Sequence, residues 1–380
     1  MTKIRSTTPS PTPLIADPAL TRPDWTRAED RDSTALWLDK NENADPELAR
    51  VVSAAVADVV NSEGARAQFA YPDLGRLYGK LSRFTGVPAA NLLLAAGSDG
   101  AIRAAFEAYV SPGEKVLHTH PTFAMYAVNC RIFGARAIAI DYAPSNRGPA
   151  LSAETLINAI DTERPRLVCL PNPDSPTGNV FGQDELRAIV TAAAKAGAVM
   201  LIDEAYWPFW PETALPWVLD FGHLIVTRST GKAWGLAGFR IGYAAASTPV
   251  AHALHKVRAM YGTSTFAAAV FENMIEHEDA MRQSVARLEA GKAQFLKAME
   301  GLGYRVLRGA GNFLHVAFGA DEPAVHVALK GHVYYRNGFK ESCLAGFSRF
   351  SATTPELFEP VIERIRTAAT KTRRARGTQP

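Results

Sequence analysis

The sequence predicts an α/β protein: a mostly parallel, seven-stranded sheet covered by helices on both faces, followed by a smaller α+β domain. Two patterns predict this. From about residue 45 to 250, short apolar runs alternate with helical stretches, as βαβ units do when both faces of their sheet are buried. After about residue 250 the alternation stops, and one long helical region leads into short strand-like runs and a last helix. The expected organisation is an N-terminal arm over residues 1–36, a large domain over 37–250 whose first residues pack with the small one, and a small domain over 251–380.

Each element has its own justification. Residues 1–36 are rich in Pro, Thr and Asp with little periodicity, which reads as an arm or a disordered lead. The strands expected for the main sheet are Asn91–Ala95, Lys115–His118, Ala135–Ile140, Leu167–Leu170, Val199–Ile202, His223–Thr227 and Gly242–Ala246, with helices such as Gly100–Val110 and Asp184–Ala196 between them. Helix is expected over about Ala251–Gly301. Strand-like "YRVLRGAG" and "FLHVAF" follow, and a final helix begins near Pro355. No repeat at solenoid spacing is present.

The 380 residues are 47% hydrophobic and 21% charged, ordinary for a globular protein with a large core. The net charge of +3 is spread along the chain, which argues against a nucleic-acid partner. The basic cluster of Lys371, Arg373, Arg374 and Arg376 reads as a solvated tail. Three cysteines lie far apart without a Cys-x-x-Cys, which fits neither a disulfide framework nor a zinc site. No apolar run reaches membrane-spanning length, and the first residues carry no apolar signal core. These features predict a cytoplasmic protein without membrane partners.

Ligands of open parallel sheets bind at the carboxyl ends of the strands, so the loops there are the candidate site. After Asn91–Ala95, "GSDG" leads into a helix, whose free N–H groups suit a phosphate or only need a cap. After Val199–Ile202, Asp203 opens "DEAYWPF". Its neighbour Glu204 points to the opposite face of the strand, so the two do not form a carboxylate pair. After His223–Thr227 comes "RSTGKAWGLAGFRIGY". Here Lys232 sits in a glycine-rich loop with Ser229 before it and Arg240 after it. A lysine held at a sheet edge can form a Schiff base with an aldehyde. His118-x-His120 resembles half a metal site, but no third ligand is apparent, and no metal is expected.

Taken together, these loops resemble those of the pyridoxal-phosphate enzymes of the aspartate-aminotransferase fold, fold type I, and within them the histidinol-phosphate aminotransferase branch. The resemblance covers roughly residues 36–370. It implies that Lys232 forms the Schiff base with the cofactor and shuttles a proton. It likewise implies that Asp203 partners the pyridine nitrogen and Tyr206 the ring oxygen. Ser98, Asp99 and Gly100, with Ser229 and Arg240, correspond to the phosphate cradle, and Tyr71 in "YPDLG" to a tyrosine reaching that phosphate from a second subunit. Phe123 takes the place of a stacking aromatic, Arg336 and Arg349 of the arginines receiving the substrate's anion, and Asn41 of a residue closing over the substrate. The implied function is transfer of an amino group between an amino acid or amino-phosphate compound and a 2-oxo acid, in a homodimer.

Three positions depart from the family pattern. In "NPDSPTG", Ser175 stands where an Asn usually donates to the ring oxygen. Gly231 precedes the lysine where a Ser is common, and Gly100 replaces a Glu. They leave open two other readings: decarboxylation or oxygen-dependent oxidation on the same scaffold, and a non-catalytic binding module.

Overall fold

In the computed structural model the described residues are 11–18, 20 and 31–375. Most of the expected N-terminal arm, Arg376 and the side chains of Arg373 and Arg374 lie outside them. All the expected sheet strands form, as β1 (Leu92–Ala95), β2 (Lys115–His120), β3 (Arg136–Asp141), β4 (Leu167–Pro171), β5 (Val199–Asp203), β6 (Leu224–Ser229) and β7 (Gly242–Ala246). Their order across the sheet is β1-β7-β6-β5-β4-β2-β3. Only β7 runs antiparallel to its neighbours.

Alternation of side chains fixes the two covered faces. Leu92, Leu94, Val168, Leu170, Met200, Ile202, Leu224 and Val226 join one buried cluster. The residues between them, Leu93, Leu167, Cys169, Val199, Leu201 and Ile225, join the other. Near-continuous apolar strands are thus the signature of a sheet buried on both sides. Helix α1 (Gly97–Tyr109) begins three residues earlier than expected, so "GSDG" is its first turn, while α2 (Gln183–Ala196) lies close to its expected span.

The long helical region is three helices: α3 (Thr248–Val257), α4 (Thr265–Met274) and α5 (Glu278–Gly301). The first break occurs because the Ser264 side chain accepts from the Ala267 N–H and starts a new helix. A separate core forms where α5 and α6 (Pro355–Ala375) cover the antiparallel strands β8 (Arg305–Leu307), β9 (Phe313–Ala317) and β10 (Ser348–Ser351). Leu38 is buried in this core, and Leu36–Trp37 pairs in parallel with Val333–Tyr334. The residue expected to end the N-terminal arm is therefore part of a strand, held because residues 36–38 bring apolar side chains to an open sheet edge.

Candidate active site

The carboxyl ends of β4, β5 and β6 meet below the second core. Asp203 ends β5 and is 4% exposed. It accepts hydrogen bonds from Thr227 Oγ1 (2.8 Å) and Tyr126 OH (3.1 Å), and burial raises its pKa to about 6. No salt bridge to Asp203 forms among the described residues, so its charge faces the cavity uncompensated. Glu204 points to the other face, where it pairs with buried Arg228 at 3.0 Å and accepts from Thr213. Trp207 stacks on that guanidinium at 3.8 Å. The pleat of one strand thus separates a carboxylate that lines the cavity from one that pairs within the fold.

Beyond β6, Lys232 enters the cavity and its Nζ donates to the Lys40 carbonyl at 2.9 Å. Ser229 Oγ accepts from the Gly231 N–H, which shapes the turn before the lysine. A side chain at position 231 would meet Ala237 Cα at 3.2 Å, so this turn packs tightly with Gly there. The loop returns through Arg240, which has a positive φ of 53°, to Gly242 at the start of β7. A methyl on Gly242 would lie 2.6 Å from Gly97 C and Ser98 N. That closeness sets the first turn of α1 beside Arg240 and Ser229, giving free N–H groups and a guanidinium in one place.

The turn after β4 is held by its own polar groups. Asn172 bonds the Phe181 backbone both ways, at 2.8 and 3.1 Å. Asp174 is fully buried and accepts from Thr122 and Thr177; burial raises its pKa to about 7. Ser175 is left facing the cavity, where its Oγ accepts from Arg349 Nη1 at 3.3 Å. Arg349 on β10 is 4% exposed and also donates to the Asp39 carbonyl at 2.8 Å. Burial pushes its pKa down to about 10. Arg336 pairs with Arg349 backbone to backbone, which places both arginines at the same wall. Asn41 bridges the two halves of the site. Its Nδ2 donates to Tyr206 OH (2.8 Å), its N–H to Ser351 Oγ, and its carbonyl accepts from Asn312.

One cavity of about 530 Å³ gathers Asn41, Ser98, Asp99, Phe123, Ser175, Asp203, Tyr206, Ser229, Lys232, Arg240, Arg336 and Arg349. Two expected residues lie outside its lining. Gly100 faces β1, where a side chain would press on Ala95 at 3.3 Å. Tyr71 is 73% exposed and stacks on Tyr261, centroids 4.0 Å apart. The sequence reading missed Thr227 and Tyr126, the donors to Asp203, and Lys40 and Tyr335 in the wall. Thr227 stands opposite Asp203 in the adjacent strand, a pairing that only the fold shows. His118 is buried and His120 lies beside Asp141.

The sequence matches the family described as aminotransferase class I and II over residues 33–365. The chain belongs to that family. This aminotransferase is 28% identical over 324 residues to histidinol-phosphate aminotransferase of Caldanaerobacter subterraneus, covering 84% of this chain and 89% of that one. It is 31% identical over 292 residues to an aromatic amino acid aminotransferase of Streptomyces coelicolor, covering 75% and 78%. Its fold matches a histidinol-phosphate aminotransferase of Sinorhizobium meliloti crystallised with pyridoxal-5′-phosphate, with TM-score 0.78 at 22% identity, over 97% and 99% of the two chains. The aminotransferase's cavity fits that cofactor. It offers an uncompensated carboxylate for a ring N–H, an amine for an aldehyde, and a cationic, N–H-rich cradle for a phosphate.

Proposed function

We propose that this aminotransferase holds pyridoxal phosphate at Lys232 and moves amino groups between a carboxylate- or phosphate-bearing amine and a 2-oxo acid. The buried Arg349 guanidinium carries the substrate part of this reading. Among the described residues no carboxylate lies in ion-pair range of it, so an anion from outside completes it. With the cofactor bound, Asp203 would hold the ring nitrogen, Phe123 the ring face, and Ser175 and Tyr206 the ring oxygen. Ser98, Asp99, Ser229 and Arg240 surround the phosphate. Bound there, the cofactor supplies an aldehyde for the amino group and a ring that withdraws electrons from the substrate's Cα.

The chain's own residues do the rest. Arg349 and Arg336 bind the anion and fix which bond at Cα faces Lys232. With the cofactor bound, Lys232 Nζ would take the proton from the substrate's Cα and deliver it to the carbon that had been the cofactor's aldehyde. Asp203 holds the ring nitrogen's proton, and its buried carboxylate is stabilised by that cation. Asn41 ties the segment before it to Tyr206.

Exposed Phe69, Tyr71, Met260 and Tyr261 form an apolar patch, each more than half exposed, of the kind that marks a protein contact. We infer a homodimer in which Tyr71 reaches the phosphate of the second copy. Three free, buried cysteines support a reducing, cytoplasmic setting; among the described residues no helix is long and apolar enough to cross a membrane.

The test is product identification. The cofactor-loaded protein is incubated with a mixture of amino acids and phosphorylated amines, and new oxo compounds are sought by mass spectrometry. Conversion of the bound cofactor to its amine form by at least one anionic donor is expected. A protein whose cofactor no donor converts contradicts the reading.

A further inference from the structure

One buried cation has no part in the chemistry above. Lys292 on α5 is 6% exposed. Its Nζ donates to the carbonyls of Gly309 (2.7 Å) and Gly311 (2.9 Å), and the Glu289 carboxylate lies 3.5 Å away. A buried ammonium is costly unless its hydrogens are matched, and this one is spent on a single loop. Burial lowers its pKa.

That loop touches the site from behind at two points. Ala310 N donates to the Gly178 carbonyl at 2.9 Å, and a methyl on Gly178 or on Gly309 would lie 2.8 Å from the other's Cα. Gly178 closes the turn that presents Ser175. On the other side, a side chain on Gly311 would come 3.3 Å from Tyr206 Cδ1, and Phe313 stands edge-on to the same ring at 5.4 Å. The loop therefore backs both residues that face the ring oxygen in the proposed function, on which this inference rests.

We propose that Lys292 is a positioning residue. Through the Gly309–Gly311 loop it sets how closely Ser175 and Tyr206 approach the cofactor's ring oxygen. Donors held close to that oxygen stabilise its anionic form and so lower the proton affinity of the lysine–cofactor linkage. A loosened loop raises it.

The test follows the pH midpoint of the visible absorbance of the cofactor-loaded protein. Lys292→Met keeps an unbranched apolar stem and removes the donors. Its midpoint is expected to rise by about one unit, the scale of a weakened hydrogen bond to a charged group, with cofactor still bound. Lys292→Arg is expected to return it toward the wild-type value. Should Lys292→Met fail to fold, Lys292→Gln, which keeps an N–H group for one carbonyl, is expected to shift the midpoint in the same direction. A variant with a lowered thermal midpoint but an unmoved absorbance midpoint overturns the inference alone. A wild-type protein that takes up no pyridoxal phosphate overturns the proposed function with it.

Discussion

At the scale of single residues, the site turns on which buried charges lack a partner. Asp203 and Arg349 are both nearly inaccessible, and neither forms an ion pair among the described residues. Glu204 and Arg228 show the contrast, since they pair with each other and serve the fold. On the proposed reading, Asp203→Asn would leave the cofactor's ring nitrogen without its ion partner. It should lower kcat by roughly 150- to 5,000-fold if a loss of about 3–5 kcal/mol falls on the transition state. Steady-state kinetics check this, and an unchanged kcat would place the ring nitrogen elsewhere. Arg349→Ala should reduce kcat/KM for the donor by about 10- to 100-fold for each charge-assisted bond lost. Ser175 is one of the three positions at which the sequence departs from the expected family pattern. Its one hydroxyl already accepts from Arg349, which leaves the O–H free to donate toward the cofactor. Ser175→Asn should keep the cofactor bound and lower the absorbance midpoint, because an amide offers a firmer donor. An unmoved midpoint in a spectroscopic pH titration would show that Ser175 does not face the ring.

At the scale of elements, strand ends and the turns after them build the cavity. The first turn of α1, the lysine loop and the start of β7 share one crowded corner. Gly242→Ala should push Gly97 and Ser98 away, at a cost of about 1–3 kcal/mol, and weaken cofactor affinity in an absorbance titration. Affinity unchanged by that methyl would separate this corner from the phosphate. Much of this was legible in the sequence. Strands such as Leu167–Pro171 and Val199–Asp203 announce themselves as unbroken apolar runs, because a sheet buried on both faces leaves no polar side. The polar residues just beyond them, Ser175, Asp203 and Lys232, stand out by contrast. The donors Thr227 and Tyr126 were not legible. A threonine in a strand and a tyrosine in a helix are ordinary core residues until β6 and the helix over Met125–Ile132 are laid beside Asp203. Lys292 was hidden for the same reason. Its place in a long charged helix reads as solvent-facing, and only the fold brings the loop over Gly309–Gly311 across it.

At the scale of the whole molecule, burial of acids ties stability to pH and to the cofactor. Folding raises Asp203 to about 6 and Asp174 to about 7 from an ordinary value near 4. A raised carboxyl contributes stability in full below the unfolded value and loses it as pH climbs through the folded one. The cofactor-free protein should therefore lose stability from these groups between about pH 4 and 7. A ring cation against Asp203 offsets that group's share. The gain in thermal midpoint on adding pyridoxal phosphate should then grow as pH rises toward about 6 and level off above it, and Asp203→Asn should flatten the trend. The exposed patch around Tyr71 predicts a dimer in sedimentation, with Tyr71→Ala weakening cofactor binding; an active monomer would remove that tyrosine from the site. All of these outcomes depend on one covalent attachment. Borohydride reduction of the cofactor-loaded protein, followed by peptide mass spectrometry, tests it directly. The pyridoxyl group should be found on Lys232. A label on another lysine, or none in protein that has taken up the cofactor, would contradict the account.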